Sequence, residues 1–91
     1  MTTFLISYDV SDNKKRNKVA KILEEYGRRV QYSVFYCQLN KKVLFDLLSR
    51  ISKIIDRDSD SILAIMLPQG WEKYMVGTLK NDLPEDEVHI L

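Results

Sequence analysis

One acidic residue, Asp9, stands where an apolar run meets a basic segment in FLISYDVSDNKKR, residues 4–16. An apolar run of this kind is typical of a strand, which would hold Asp9 at its end. Mg²⁺ is commonly held by one or two carboxylates together with water and phosphate oxygens. The order therefore favours a divalent metal site facing a phosphate. The cations nearest in sequence are Lys14, Lys15 and Arg16.

A single chain offers no second acid that clearly converges on Asp9. Asp12 is close in sequence. However, Asp12 or Ser11 is expected to cap the helix that follows, since their side-chain oxygens accept hydrogen bonds from free backbone N–H groups. In a twofold dimer, two copies of Asp9 could face each other across the axis and supply two carboxylates. The alternative is that Asp9 only hydrogen-bonds the turn that follows it.

Other reactive side chains carry weaker signals. His89 is the only histidine, and we expect an exposed bystander rather than a general base. Cys37 has no His or Asp at a suggestive spacing and is expected to be a small buried hydrophobe. Ser33 can donate to a phosphate or simply occupy a turn. Tyr8 and Phe35 can stack on nucleic-acid bases, although aromatic residues in strands usually belong to the core.

The composition is that of one soluble globular domain, residues 1–91, with 45% hydrophobic and 30% charged residues. No stretch has the ~20 apolar residues that cross a bilayer, so no membrane partner is expected. The N-terminus has no basic region or cleavage site of a secretory signal. A lone cysteine predicts a reducing compartment, the cytoplasm. The absence of P-loop, GxGxxG, paired CxxC and HExxH motifs argues against nucleotide cofactors and structural zinc.

The net charge of +1 hides an uneven distribution. Residues 13–29 contain seven Lys or Arg against two Glu, whereas residues 81–91 contain four acids and no Lys or Arg. A concentrated basic region can be the electrostatic footprint of a phosphate backbone. The alternative is the solvated face of an ordinary helix.

The hydrophobic pattern predicts the element order β-α-β-β-α-β with a β-rich tail. Residues 4–10 read as a strand, and the helix after it is expected to stop at Gly27. Residues 28–39 are long for one strand. We interpret them as two short strands with a break near residues 31–33, and a single bent strand is the alternative. The apolar stripe of the first helix consists of Val19, Ile22, Leu23 and Tyr26.

The second half of the chain predicts one more helix and three strands. Asn40 can cap a helix that runs to about residue 56 on a strong apolar stripe. Residues 62–67 are six consecutive apolar residues, which predicts a strand buried on both faces. Short strands are predicted around residues 74–76 and over residues 88–91.

This order predicts the α+β ferredoxin-like fold, a four-stranded antiparallel sheet with both helices on one face. The core is expected over about residues 1–68, followed by a C-terminal β extension over about residues 69–91. The face without helices would be a large exposed apolar surface unless a partner covered it. We therefore predict a homodimer that packs sheet against sheet. The extension is expected to take part, with its last strand added to the other subunit's sheet.

Two motifs resemble those of a known family. YDVSDNKKR at residues 8–16 and YGRRVQYSVF at residues 26–35 are similar to the CRISPR-associated protein 2 family. The resemblance covers the whole chain and includes its length, the element order, the ILAIML strand before a proline and the closing VHIL. Members are small metal-dependent nucleases that also form the central dimer of the CRISPR spacer-acquisition complex.

The resemblance implies roles for individual residues. Asp9 matches the family's metal-binding aspartate, for Mg²⁺ or Mn²⁺, and Arg16 matches a basic residue expected to contact nucleic acid. Many members continue the Ser-Val-Phe signature at residues 33–35 with Glu, where this chain departs from the pattern with Tyr36. The residues that match the turn and the start of the next strand are Gly27, Arg29, Val30 and Gln31.

With the resemblance, we predict a homodimeric CRISPR nuclease that hydrolyses phosphodiester bonds of RNA or duplex DNA, with Asp9 as the catalytic, metal-binding residue. The implied protein partner is the CRISPR integrase. A non-catalytic scaffold for duplex DNA and the integrase is the first alternative, and a regulatory module for a small ligand is the weaker one. Nucleic acid is expected to contact Lys14, Lys15, Arg16, Arg28, Arg29 and Ser33, with stacking on Tyr8 and Phe35.

Overall fold

One of the two central strands of the sheet is β1 (Thr2–Asp9), which pairs antiparallel with a neighbour on each side. The computed structural model describes residues 1–79 and the backbone of residues 88–90. The other elements of the four-stranded sheet and its two helices are α1 (Asn13–Glu24), β2 (Gly27–Gln31), β3 (Val34–Leu39), α2 (Lys41–Ser52) and β4 (Ser61–Leu67). The sheet order β2-β3-β1-β4 confirms the predicted ferredoxin-like fold.

Alternation along β1 decides which face of the sheet is buried by the helices. Phe4, Ile6 and Tyr8 are buried among the apolar stripes of α1 and α2. Burial of side chains of this size contributes roughly 1.5–3 kcal/mol each. Both helices therefore lie on one face, as predicted. The helix residues that complete the core are Val19, Ala20, Leu23, Leu44, Leu47 and Ile51.

Both helices begin at side chains that the sequence predicted as caps. Asp12 accepts a hydrogen bond from the Lys15 amide at 2.9 Å, and Asn40 accepts one from the Val43 amide at 2.8 Å. Each carboxylate or amide oxygen satisfies a backbone N–H group that has no partner within the helix.

The end of α2 differs from the prediction. The helix ends at Ser52 rather than near residue 56. Ile54 and Ile55 nevertheless pack against the core from the turn that follows. The apolar stripe therefore extends past the helix, because side chains of the turn continue to cover the same face of the sheet.

The chain turns between β2 and β3 at Tyr32 and Ser33, which confirms two short strands and excludes the single bent strand. The strand register shifts between Arg29 and Gln31. An irregularity of this kind interrupts the regular pairing and bends the strand, so the short turn between β2 and β3 forms without glycine or proline.

The strand over residues 62–67 is confirmed, but the prediction that it is buried on both faces is wrong for the single chain. β4 lies at the edge of the sheet, with β1 as its one neighbour in the sheet. On the face without helices, Leu63 and Ile65 are 56% and 51% exposed. On the other face, Ile62 and Ala64 are only partly buried. Leu63 and Ile65 are called the apolar patch below.

The C-terminal segment covers a different part of the face without helices. Trp71 lies against Tyr36 of β3, with ring centroids 6.0 Å apart. β5 (Lys73–Met75) confirms a short strand near its predicted place and pairs in parallel with β6 (Val88–Ile90) of the same chain. The predicted addition of the last strand to the sheet of a second subunit stays a prediction. None of the helices in the described residues is long and apolar enough to span a bilayer.

Gly27 is required by a close approach between β2 and β3. A Cβ at this position would lie 2.2 Å from the Tyr36 carbonyl oxygen and 2.5 Å from the Cys37 sulfur. Neither neighbour can move easily, because the carbonyl belongs to the β3 backbone and Cys37 is fully buried. Gly27 therefore does more than follow the helix end that the sequence analysis assigned to it.

We expect Gly27→Ala to lower the free energy of unfolding by about 1–3 kcal/mol, because the added methyl group forces β2 away from β3. Gln31→Ala, at an exposed position in the same strand, is the control and is expected to change this free energy by less than about 0.5 kcal/mol. Urea denaturation followed by circular dichroism measures both. Equal unfolding midpoints for the two variants would contradict the proposed clash.

Candidate functional site

The last residue of β1 is Asp9, and its side chain is exposed. It pairs with Ser61, the first residue of β4. Because side chains alternate along a strand, Asp9 lies on the face without helices, as do its neighbours two and four residues earlier, Ser7 and Leu5. Among the described residues, the Asp9 carboxylate has no hydrogen-bond or ion-pair partner. The alternative that it only hydrogen-bonds the following turn therefore finds no support.

The turn between β2 and β3 lies beside the end of β1. The Tyr8 amide donates to the Ser33 carbonyl oxygen at 3.1 Å, and the Tyr8 hydroxyl donates to the Tyr32 carbonyl oxygen at 3.2 Å. These two hydrogen bonds place Ser33 beside Tyr8, the residue before Asp9. The turn that carries Ser33 therefore lies at the same end of β1 as Asp9.

The first turn of α1 carries two cations that follow Asp9 closely in the sequence. Lys14 and Lys15 are exposed and follow Asp9 after a loop of three residues, 10–12. Exposed ammonium groups at this position are available to a phosphate backbone. Their contact with nucleic acid stays a prediction.

Arg16 has a different environment from the two lysines. It is half-buried and folds back on the loop after Asp9, where its Nη1 donates to the Val10 carbonyl oxygen at 2.9 Å and to that of Ser11 at 3.4 Å. Its Nη2 donates to the Asn13 side-chain oxygen. Arg16 therefore holds this loop, a role that the sequence analysis missed, and its contact with nucleic acid stays a prediction.

The two arginines of β2 lie on opposite faces of the sheet. Arg28 is exposed and pairs with Tyr36, on the face without helices. Arg29 pairs with Phe35 on the helix face, and its guanidinium carbon lies 5.3 Å from the Phe35 ring centroid. Because neighbouring strand residues point to opposite faces, these two cations cannot both join Asp9. The continuous basic cluster suggested by the sequence is therefore divided.

The two aromatic residues proposed for stacking are in the core. Phe35 is fully buried and Tyr8 is 6% exposed, and their rings pack against each other. Arg29 covers the Phe35 ring and reaches the Tyr8 hydroxyl at 3.5 Å. Neither ring presents a free face to a base, so the prediction that they stack on nucleic acid is wrong for this chain.

Asp60 is the one buried charged residue among those described, at 8% exposure. Its Oδ1 accepts hydrogen bonds from the Ser11 amide at 3.2 Å and from the Ser11 and Ser59 hydroxyls at 3.3 Å each. Its Oδ2 accepts from the Asp56 amide at 3.0 Å. The hydrogen bonds from the Asp56 amide and then from Ser11 hold the pKa of Asp60 below its ordinary value. The sequence predicted only a turn here, because 49 residues separate Ser11 from its partner.

The described residues do not bring three metal-ligating side chains together. The exposed carboxylate of Asp9 suits a hard cation such as Mg²⁺, which takes oxygen ligands and accepts water and phosphate oxygens as the rest. One chain thus supplies one such ligand, and its chemistry fits this ion as part of a larger site.

The remaining reactive groups lie apart from this site. Cys37 is fully buried, and burial raises the pKa of its thiol to about 11, so the thiol stays protonated and unreactive near neutral pH. This confirms it as a small buried hydrophobe. The side chain of His89 lies outside the described residues, so its role stays a prediction.

Comparison with known proteins supports a family. The family model described as CRISPR associated protein Cas2 matches residues 1–75. The chain belongs to the Cas2 family. The CRISPR-associated endoribonuclease Cas2 3 of Synechocystis is 45% identical over 62 residues, which cover 68% of this chain and 67% of that relative.

Solved structures agree with this family and with the fold. A hypothetical protein of Thermus thermophilus, TT1823, superposes with a TM-score of 0.81 at 33% identity, over 92% of this chain and 98% of that one. A chain of a partial Cas6-RT-Cas1–Cas2 complex superposes with a TM-score of 0.67 at 33% identity, over 76% of each chain. The resemblance stated from the two sequence motifs is thereby confirmed.

The hydrogen bonds of Asp60 predict a dependence of stability on pH. A carboxylate whose folded-state pKa is lowered stabilises the fold at pH values above its ordinary pKa of 3.8, and that contribution disappears as the pH falls through the lower folded-state value. Asp60→Asn should therefore lower the urea midpoint at pH 7 and differ less from the wild type as the pH falls below 3.8. Asp58→Asn, an exposed acid in the same loop, is the control. A pH-independent difference for Asp60→Asn would contradict this expectation.

Proposed function

We propose that this Cas2 protein is a metal-dependent endonuclease that acts as a homodimer in CRISPR spacer acquisition. The observation that carries the proposal is the Asp9 carboxylate, exposed at the end of a central strand and without a partner among the described residues. Family membership supports the reaction class, since the Synechocystis relative is named an endoribonuclease. The free, buried thiol of Cys37 suits a reducing compartment, in agreement with a cytoplasmic location.

Asp9 and the residues around it would have different roles in phosphodiester hydrolysis. Asp9 would hold Mg²⁺ or Mn²⁺, which when bound polarises a phosphate and lowers the pKa of water. Lys14 and Lys15 neutralise the charge of the nucleic-acid backbone and orient it. The Ser33 hydroxyl would donate to a phosphate oxygen. Arg16 keeps the loop after Asp9 in place.

A second copy of the chain would complete this site. The apolar patch lies on the same face of the sheet as Asp9, because Leu63 pairs with Ser7 and Ile65 pairs with Leu5. One strand step of two residues, about 7 Å, separates Leu63 from the level of Asp9. If the apolar patches of two copies cover each other around a twofold axis, both Asp9 carboxylates lie at the interface between the copies.

The edge of the sheet favours the same pairing. β4 is seven residues long, carries no charged residue and has one neighbour in the sheet. An exposed apolar edge of this kind is open to pairing with another strand, and soluble proteins usually protect such an edge. A second copy packed sheet against sheet would cover the apolar patch, and the edge of β4 would be open to a strand of that copy, such as its last strand.

A non-catalytic scaffold is the second candidate function. It is favoured by the single carboxylate per chain and by similarity to the Cas2-like chain of a complex that also names Cas1. In this case the dimer holds duplex DNA and an integrase of the Cas1 type. Lys14 and Lys15 would still contact phosphates, while Asp9 would matter little.

We expect Asp9→Ala to lower the rate of phosphodiester cleavage by about a hundredfold or more, because it removes the ligand that would place the metal. The wild type and the variant are incubated with single-stranded RNA and with duplex DNA, in Mg²⁺ and in chelator. Asp46→Ala, an exposed acid on α2, is the control and should cleave as the wild type does. Cleavage by Asp9→Ala at the wild-type rate would contradict the nuclease proposal. Salt-sensitive duplex binding by a wild type that does not cleave would support the scaffold.

We expect Ile65→Glu to convert the dimer into a folded monomer, because a charge on the apolar patch cannot be covered by a second copy without a large desolvation cost. Sedimentation measures the mass, and circular dichroism checks the fold. Phe45→Glu is the control, because Phe45 is 65% exposed on α2, away from the sheet face that pairs. A wild type that is monomeric, or an Ile65→Glu variant that stays dimeric, would contradict the proposed pairing.

A further inference from the structure

The loop after Asp9 is fixed from both sides by opposite charges. The Asp60 carboxylate accepts from the amide of Ser11, and the Arg16 guanidinium donates to the carbonyl oxygens of Val10 and Ser11. Charge-assisted hydrogen bonds are stronger than neutral ones. Two residues directly after Asp9 are therefore held through their backbone by charged side chains from other parts of the chain.

Asp60 also acts on the other strand that meets Asp9. The next residue, Ser61, is the pairing partner of Asp9 in β4. Asp60 thus ties the start of β4 to Ser11, two residues beyond Asp9, across 49 positions of sequence. A change in its bonds would shift the end of β1 and the start of β4 relative to each other.

Asp60 cannot itself be a ligand for a cation in this arrangement. Its Oδ1 accepts from Ser11 and Ser59, and its Oδ2 accepts from the Asp56 amide. The carboxylate is buried, whereas Asp9 is exposed. The two acids therefore have separate roles, one as ligand and one as support.

We propose that Asp60 is a positioning residue that holds the Asp9 carboxylate where it can bind a divalent cation. This inference rests on the proposed function. Residues that orient a metal ligand typically change metal affinity or activity by 10–100-fold when they are replaced. Asp60→Asn is the sharpest test, because the isosteric amide keeps one accepting oxygen and turns its NH₂ group toward an N–H or O–H donor.

The test measures Mn²⁺ affinity of the full-length wild type, Asp60→Asn and Asp9→Ala from the free Mn²⁺ signal in electron paramagnetic resonance, with cleavage rate as a second readout. We expect Asp60→Asn to weaken Mn²⁺ binding by about 10–100-fold at a temperature where circular dichroism shows it folded. Its affinity for duplex DNA should stay within about twofold of the wild type, since Lys14 and Lys15 are unchanged. Asp58→Asn removes the same charge from an exposed position in the same loop and should leave Mn²⁺ affinity unchanged.

The outcomes separate this inference from the proposed function. If Asp9→Ala loses Mn²⁺ binding while Asp60→Asn keeps wild-type affinity, Asp60 has no positioning role and the nuclease proposal stands. If the wild type binds no Mn²⁺, or if Asp9→Ala binds it as tightly as the wild type does, the proposed function fails and this inference fails with it. Should Asp60→Asn not fold, Asp60→Glu keeps the charge but lengthens the side chain by one methylene group, which moves the carboxylate away from the Ser11 amide. Wild-type Mn²⁺ affinity in Asp60→Glu would then overturn the proposal.

Discussion

The pairing of β1 on both of its edges is the constraint on which the rest of the structure depends. Between β3 and β4, its backbone groups are satisfied by neighbours, and its alternating side chains face the helices on one side only. Such a strand cannot slip by one residue without moving Phe4, Ile6 and Tyr8 out of the core. The position of Asp9 follows from this register, since it is the next polar residue at the strand's end.

Three segments meet where β1 ends, two of them distant from it in sequence. They are the turn at Tyr32 and Ser33, the start of β4 and the first turn of α1. Each segment is held there by a different interaction. A backbone hydrogen bond holds the turn, strand pairing holds the start of β4, and the short loop before a capped helix holds the first turn of α1. This convergence leaves a carboxylate exposed in an otherwise well-bonded region. Within the described residues, most polar groups of the loop already have partners, and Asp9 is a carboxylate without one.

The face of the sheet without helices links this site to assembly. Its β3 side is covered by Trp71 and the residues that follow, whereas its β4 side presents the apolar patch. Asp9 lies on the same face, so the proposed dimer and the proposed metal site have one geometric origin. A partner that covered the patch would also decide what lies opposite the carboxylate. This is why a monomer and a dimer would differ in chemistry as well as in stability.

Charge illustrates what the sequence could not resolve. The run of cations from Lys14 to Arg29 reads as one basic region, but the fold assigns its members to different surroundings. Arg16 bonds the loop, Arg29 covers a core ring, and Arg28 lies on the opposite face of β2. Each of these outcomes depends on which backbone carbonyl or ring comes within reach, which is a property of tertiary packing.

By itself, the sequence determined the local structure. Periodicity set the order of strands and helices, Asp12 and Asn40 set the helix starts, and two motifs indicated the family, because all of these depend on residues close together in the chain. Only the tertiary structure decided that Tyr8 and Phe35 are buried, that β4 is an edge, and that Asp60 holds Ser11. The reason is that burial and long-range hydrogen bonds depend on which side chains and backbone groups the packed elements bring together, and residues far apart in the chain leave no local pattern that predicts such a contact.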